Sequence, residues 1–278
     1  MASLRRDIQQ LTKQSIQHRL RTVVFGKGEL LDVLESAGST NALALAAAKS
    51  APGGMVFIAD EQTAGRGRGG HAWHSERGSG LYMSVVLRPE LPPSAVLWLS
   101  LLTGLAARRA IKEVCGLVID LRWPNDLMLL TAEGERKCGG ILLESASRGA
   151  REAVEHVVVG IGINVNHAGF PPGLAREATS LRMVSGGEVD RAELAAAMLL
   201  ALEDEYLAFV ADTRDDIPEL RARFEGASSY VRGARVEVHD SGVKNYSGVT
   251  SGLDARGALL VQTESELRTV ISGGVRKI

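Results

Sequence analysis

The residues best suited to chemistry in this sequence fall in three short stretches. The densest is Gly65-Arg66-Gly67-Arg68-Gly69-Gly70-His71-Ala72-Trp73, preceded by Asp60-Glu61-Gln62-Thr63. Glycines let backbone N–H groups converge on an anion, and two arginines add fixed charge with forked donors, so the stretch suits capture of a phosphate or carboxylate. Taken alone it also reads as a flexible surface loop. It spells the G-x-G-x-x-G dinucleotide fingerprint, but that motif requires a helix opening at the third glycine. Residues 71–80 carry no helical apolar stripe, so that reading is rejected. No G-x-x-x-x-G-K-[ST] sequence occurs, which excludes a P-loop.

The second stretch is Arg122-Trp123-Pro124-Asn125-Asp126, followed by Arg136-Lys137-Cys138-Gly139-Gly140-Ile141. A lysine beside small residues at the start of a strand can set its ammonium on a carboxylate or phosphate. Asn125-Asp126 alone reads first as a plain hairpin turn. The third is Gly160-Ile161-Gly162-Ile163-Asn164, where glycines inside an apolar strand point either to a ligand against the backbone or to a bulge or close sheet packing. His71 and His74 make a poor metal pair, three residues apart on a glycine loop without a third ligand. Cys138 sits in an apolar pattern and reads as structural. No nucleophile elbow is present.

The elements that must position these groups follow from periodicity. Ser39-Thr40-Asn41 caps an alanine-rich helix running to Ala48, stopped by Pro52-Gly53-Gly54. Strands are expected at 55–59, 81–87, 117–123, 127–130, 139–144 and 156–165, with helices at 95–114, 192–209 and around 218–224. Beyond Gly226, short alternating segments separated by Gly or Asp turns read as a small β-barrel. The first 28 residues are basic and read as a short amphipathic helix with Leu4, Ile8 and Leu11 on one face.

Composition narrows the classes. A chain of 278 residues, 45% hydrophobic, has length for about two domains and ample core. Its formal net charge of −1 gives no wholesale attraction to nucleic acid, so an anion site must be local. No run approaches the ~18 apolar residues of a membrane span. Two cysteines without a CxxC pair suit a reducing compartment, and the expected location is the cytoplasm. Glycine is abundant (31 residues) and the rings are few: three Trp, four Tyr and five Phe. Places where the two kinds meet are therefore informative.

Together these stretches resemble the bacterial biotin–protein ligases, also called biotin–[acetyl-CoA-carboxylase] ligases. The resemblance rests on Ser39-Thr40-Asn41, Gln62 through Trp73, Trp123-Pro124-Asn125-Asp126, Lys137 with Gly139-Gly140-Ile141, and Gly160 through Asn164, in that order. It covers about residues 30–278 and includes Gly273-Gly274. It implies an α+β fold: a mixed-sheet, class II synthetase-like catalytic domain over residues 1–225 (with 1–28 as a basic helical extension) and an SH3-like β-barrel over 226–278.

The implied reaction has two steps. Biotin and ATP, with Mg2+, give biotinyl-5′-AMP and pyrophosphate; biotin then passes to one lysine of a biotin carboxyl carrier domain. The implied biotin-binding residues are Ser39, Thr40, Asn41, Gln62, Gly65, Arg66, Gly67, Arg68, Trp73, Lys137, Gly160 and Gly162. The nucleotide falls to Arg68, Trp73, Asn125, Lys137 and Asn164. Lys137, Arg68 and Asp126 are the catalytic candidates, Asp126 either orienting the acceptor lysine or accepting its proton. No side-chain metal set is assigned, a place for Asp126 near Mg2+ being the competing role.

Arg122 stands where the family usually has lysine, and Gly69 where a third basic residue is common. Fewer than forty residues precede Ser39, which is short for a winged-helix domain, so no DNA partner is expected. No membrane partner is expected either, and an edge-strand homodimer is compatible with the family. A lipoate–protein ligase or octanoyl transferase would share the fold, and the GRGR…Trp loop argues against both. A biotin-sensing regulator that binds but transfers nothing is the remaining alternative.

Overall fold

The computed structural model describes residues 10–147, 154–212, 216–239 and 245–278. Among these described residues, twelve strands form two sheets. The first has seven strands: β1 (Leu31–Leu34), β2 (Val56–Ala59), β3 (Gly80–Leu87), β4 (Asp120–Arg122), β5 (Asp126–Thr131), β6 (Gly134–Ser147) and β7 (Val154–Asn164). Their order is β1-β2-β3-β7-β6-β5-β4, parallel only between β1 and β2. The second is an antiparallel five-stranded sheet of β8 (Arg232–His239), β9 (Tyr246–Leu253), β10 (Leu259–Gln262), β11 (Leu267–Val270) and β12 (Gly274–Lys277), in the order β11-β10-β9-β8-β12. The expected α+β class and small C-terminal β domain are therefore present.

Helices cover both faces of the large sheet. On one side α3 (Val96–Cys115) packs against α5 (Arg191–Ala211) and the sheet, burying Trp98, Leu99, Leu101, Leu102, Leu194, Met198 and Leu202. Long and apolar enough to cross a bilayer by composition, α3 instead forms the middle of this core. It stops where Gly116 turns left-handed (φ 72°) and donates to the Lys112 carbonyl. Asp190 caps α5 by accepting from the Ala192 and Glu193 N–H groups. On the other side α2 (Thr40–Ala47) lies on β2, β3 and β7, and its small alanines let it come close.

Several elements depart from the sequence-based expectation. Ser39 occupies the N-cap position of α2 but its hydroxyl makes no capping bond. The Thr40 N–H donates instead to Gln62 Oε1 at 2.9 Å. The strand expected over 117–123 is confined to β4, whose pairing with β5 runs only from Asp120 to Arg122; on its other side Leu121 N–H donates to the Ala227 carbonyl, and the Ser229 N–H to Asp120. Strand β6 starts five residues early, at a hairpin turn where Gly134 has φ 108°. Short strand β1 and helix α4 (Leu181–Ser185) were too brief to show a period. Of the basic N-terminal helix, only α1 (Lys13–Gln17) is seen, with Leu11 just before it and buried; Leu4 and Ile8 lie outside the described residues. The segment after α1 is tied to α5 by Glu203, whose carboxylate accepts from the N–H groups of Val23, Val24 and Phe25.

Two of the three tryptophans dock the second sheet on the first. Trp98 Nε1 donates to the Ala255 carbonyl and Trp123 Nε1 to that of Gly257, each at 3.0 Å. A side chain at Gly257 (φ +80°) would also press on Leu101 and the Trp98 ring. Helix α6 (Pro218–Gly226) joins the two, its Glu225 accepting from the Leu253 N–H. The third tryptophan, Trp73, faces a cleft.

Candidate active site

That cleft, about 1070 Å³, opens between the exposed face of the large sheet and the rim of the small one. Its floor follows from strand register. Gly140 of β6 lies beside Gly162 of β7, flanked by Asp126 and Tyr82, and the adjacent row sets Leu142, Gly160 and Ser84 side by side. Three glycines on the same face leave bare backbone where side chains would otherwise stand. They are filled from above: a Cβ on Gly160 would fall 2.0 Å from Asn41 Oδ1, one on Gly162 2.6 Å from Trp73 Nε1, and one on Gly140 3.3 Å from Lys137 Nζ. What lies against Gly160 and Gly162 is the protein's own Asn41 and Trp73, so close packing on the bare backbone is seen, and β7 runs through both glycines without a bulge.

One wall is a relay of neutral polar groups. Ser84 is fully buried; its Oγ donates to Asn41 Oδ1 at 2.6 Å and lies 2.8 Å from Thr40 Oγ1. Thr40 reaches Gln62 Oε1, and Gln62 Nε2 donates to Ser75 Oγ at 2.9 Å. Asn41 Nδ2 donates to Glu144 at 2.9 Å, and Glu144 also receives Arg66 at 3.0 Å. Ser39 lies at the start of α2 beside this relay and lines the cleft. Such an ordered set of paired donors and acceptors suits a neutral ligand head rather than a charge.

The Gly/Arg stretch folds as a short hairpin over the floor. Gly67 N–H donates to the His71 carbonyl (2.7 Å) and Trp73 N–H to the Gly65 carbonyl (2.9 Å), with Gly69 (φ 66°) and Gly70 (φ 81°) at the tip. Arg68 Nη1 donates to the Gly273 carbonyl, so the hairpin touches the second sheet. Trp73 lies along Gly162 with Lys137 Nζ 5.4 Å from the ring centroid. Its Nε1 is buried against Gly162 with no hydrogen-bond partner.

Positive charge gathers around Asp126. Lys137 Nζ pairs with Asp126 Oδ1, and Arg122 donates to Oδ2 through Nη2 (2.6 Å) and Nε (3.0 Å). Burial alone would raise the Asp126 carboxyl, but Lys137 and then Arg122 outweigh it and hold it below the usual carboxylate range. Lys137 can face Asp126 because β6 carries an irregularity opposite Leu127 and Met128, which sets Cys138 as an extra residue pointing into the core. Burial in turn pushes the Cys138 thiol far up, so it is inert as a nucleophile.

Of the residues singled out in sequence, Ser39, Thr40, Asn41, Gln62, Arg66, Gly67, Arg68, Trp73, Asn125, Asp126, Lys137, Gly160, Gly162 and Asn164 all line this one cleft. Gly65 does not. It is required beneath the hairpin, where a Cβ would sit 2.6 Å from the Trp73 carbonyl and 2.7 Å from Ser75 Oγ. Asn125 and Asn164 are partly spent on the fold, their Nδ2 groups donating to the carbonyls of Ile141 (2.8 Å) and Thr179 (3.1 Å). Sequence reasoning missed Ser84 and Glu144, and Gly273 entered it only through the resemblance, without a role. Ser84 was visible as the lone serine inside the apolar run LYMSVVL. Nothing local marked Glu144.

A mixed sheet thus carries a polar relay and a cation cluster in one cleft, with a second small sheet at its rim. Residues 33–164 match the Biotin/lipoate A/B protein ligase family and residues 233–276 the Biotin protein ligase C terminal domain. The chain is 34% identical over 268 residues to the Biotin--[acetyl-CoA-carboxylase] ligase of Mycobacterium tuberculosis, covering 93% of this chain and 94% of that one. It is 34% identical over 269 residues to the Bifunctional ligase/repressor BirA of Bacillus subtilis, covering 95% of this chain and 78% of the relative. In structure it is similar to the biotin protein ligase from Aquifex aeolicus in complex with biotin and ATP, with a TM-score of 0.73, 29% identity and coverage of 89% and 99%. The class is thus a biotin or lipoate protein ligase. The C-terminal match and the full-length relatives narrow it further: the chain belongs to the biotin protein ligase family.

Proposed function

We infer that this protein activates biotin with ATP and transfers it to a lysine of a biotin carboxyl carrier domain of a carboxylase. A carboxylate oxygen of biotin attacks the α-phosphorus of ATP, the bond to the β-phosphate oxygen breaks, and pyrophosphate leaves. The lysine amine of the carrier then attacks the acyl carbon, forming an amide; AMP departs and the amine gives up its proton. The observation carrying this reading is the meeting of Lys137, Asp126, Trp73 and the Gly140–Gly162 floor beneath a hairpin that carries Arg66 and Arg68.

The roles follow the chemistry of each group. The neutral relay of Ser39, Thr40, Asn41 and Gln62 receives the ureido ring, which needs donors and acceptors in pairs. The bare strand at Gly160 and Gly162 takes the apolar body, with Trp73 as lid. Two anions must be brought together, and Lys137, Arg66, Gly67 and Arg68 supply the charge and backbone donors at the junction. Arg68, Trp73, Asn125 and Asn164 face the nucleotide. Asp126 holds Lys137 in place. As a base for the acceptor lysine it is poorly matched: an ordinary carboxylate already lies roughly six pKa units below a lysine ammonium, and Lys137 and Arg122 hold Asp126 lower still.

Asp126 is also a poor side-chain ligand for Mg2+, because both of its oxygens already receive cations. No step is therefore assigned to a protein-held metal ion here. We divide the chain into a catalytic unit to residue 225 and a C-terminal unit from 226, which supplies Gly273 to the cleft. The reading is of a ligase without a DNA partner, in keeping with a net charge of −1, and of a cytoplasmic one, in keeping with two free thiols. If a second copy pairs through the large sheet, β1 is the edge available, since residues 227–229 occupy the one at β4. Pyrophosphate release dependent on both biotin and ATP, with biotin appearing on a carrier domain, is the expected result. Absence of both with active controls would refute the reading.

A further inference from the structure

At the rim of the cleft, outside every role assigned above, His74, Glu76 and His167 bring one ligand atom each to within 4.8 Å of one another. They come from distant parts of the sequence: His74 and Glu76 follow the hairpin in the pattern H-x-E, and His167 lies in the turn after β7. The pairing of His71 with His74 weighed in the sequence is not the one formed, because His71 stays on the hairpin and His167 takes its place.

Two features distinguish this cluster from ordinary polar packing. The first is the state of His167, which is wholly buried. Tyr82 Oη donates to the Glu76 carbonyl (3.1 Å) and lies 3.4 Å from His167 Nε2. The tautomer that satisfies both contacts puts the phenol hydrogen on the Glu76 carbonyl, the shorter of the two, and the ring proton on Nε2, which leaves Nδ1 as a bare lone pair. That Nδ1 is buried and has no hydrogen-bond partner. A buried acceptor of this kind calls for an explanation. A histidine that donates through one nitrogen to a fixed neighbour and bares the other is oriented as metal-binding histidines are. The second feature is the support around it. Phe170 stacks on His167 (centroids 5.0 Å, 18°) and meets His74 edge-on (6.3 Å, 66°), fixing both rings from one side.

We propose that His74, Glu76 and His167 form a binding site for a divalent transition-metal ion of the Zn2+ type. Two imidazoles and one carboxylate are the donor set of three-ligand zinc sites, which leave a further position for water or an exchangeable ligand. Imidazole donors also favour such ions over Mg2+, which takes oxygen. Bonds of ~2.0–2.2 Å place tetrahedral ligands about 3.4 Å apart, so the three need to close only slightly around the ion. Bound there, the ion ties the base of the Arg66–Arg68 hairpin, through His74, to the loop after β7.

The probe is Zn2+ alone, titrated by calorimetry into the full chain after chelator treatment, with Co2+ absorption as a report on coordination. One saturating Zn2+ per chain is expected, unaffected by a large excess of Mg2+. The H74A and E76Q substitutions should each weaken it at least tenfold and H71A should leave it unchanged. Zn2+ should raise the Tm of the unaltered protein and not that of H74A. His74 and Glu76 are not part of the core, so these variants remain informative if H167A fails to fold. No saturable Zn2+ binding, or binding indifferent to both H74A and E76Q, overturns the proposal. Neither result bears on biotin activation.

Discussion

Replacing Asp126 with asparagine tests the reasoning about the cation cluster most directly. The carboxylate is largely buried (its side chain 16% exposed) and holds Lys137 on one oxygen and Arg122 on the other. An amide of the same shape removes the charge, offers one acceptor in place of two, and turns its N–H2 toward one of the cations. Removing one partner from a fully buried ion pair costs about 3–5 kcal/mol. Here Lys137 is 31% and Arg122 21% exposed, so water recovers part of the loss. The expected destabilisation at pH 7 is therefore about 2–4 kcal/mol, read as a shift in urea unfolding followed by circular dichroism.

The pH dependence gives a second handle on D126N. The folded-state pKa of Asp126 lies below its unfolded value, so its contribution is complete above the unfolded value and fades as pH falls through the folded one. The gap between wild type and D126N should stay constant from about pH 7 to 5 and narrow below about pH 4. Inorganic pyrophosphate should stabilise the variant more than the wild type, because an anion can take the place of the missing carboxylate. A gap under about 0.5 kcal/mol at pH 7, or one that does not change with acid, would show that Asp126 does not hold the cluster.

Other substitutions separate the remaining roles. S84A removes the donor to Asn41 from a fully buried site; it should cost about 1–2 kcal/mol of stability and raise the KM for biotin with little change in kcat. G160A and G162A should diverge: the first drives a Cβ into Asn41, pinned by Ser84 and Glu144, and is expected to lose about 3 kcal/mol along with biotin binding. The second meets Trp73, which a hairpin can carry aside, so intrinsic fluorescence should change while stability falls by about 1 kcal/mol or less. R68A should shorten retention of the adenylate more than that of biotin, which has no phosphate; equal losses would reassign Arg68. Iodoacetamide should leave Cys138 unlabelled until denaturant is added, since the thiol is buried and held protonated.

Much of the site was legible because its residue types are costly anywhere else. A run of glycines punctuated by arginines, and glycines inside the apolar strand at 160–162, are poor choices for ordinary packing. Both turned out to face the cleft, apart from Gly70 at the hairpin tip and Gly65, which was assigned by position within its motif and is spent beneath the hairpin. The long helices α3 and α5 were legible for a similar reason, each carrying enough turns to show its pattern, whereas β1 and α4 are single short elements shaped by their neighbours. Ser84 and Glu144 escaped notice because their importance lies in what stands opposite them, Asn41 and Arg66, which are distant in sequence.

The sequence by itself determined which groups exist: a mobile-looking Gly/Arg segment, one well-placed lysine, a small polar triplet at 39–41, and tryptophans spaced so that only Trp73 adjoins the glycines. These are local properties of composition and order. What only the tertiary structure decided is which of them meet. The irregularity in β6 turns Lys137 to Asp126's side of the sheet, a reversal that strict alternation along a strand forbids. Strand order places Gly140 beside Gly162, and docking of Trp98 and Trp123 on the second sheet brings Gly273 to Arg68. The same is true of His167, whose neighbours His74 and Glu76 lie some ninety residues earlier. Register, bulges and docking depend on long-range packing, and no short window of sequence contains it.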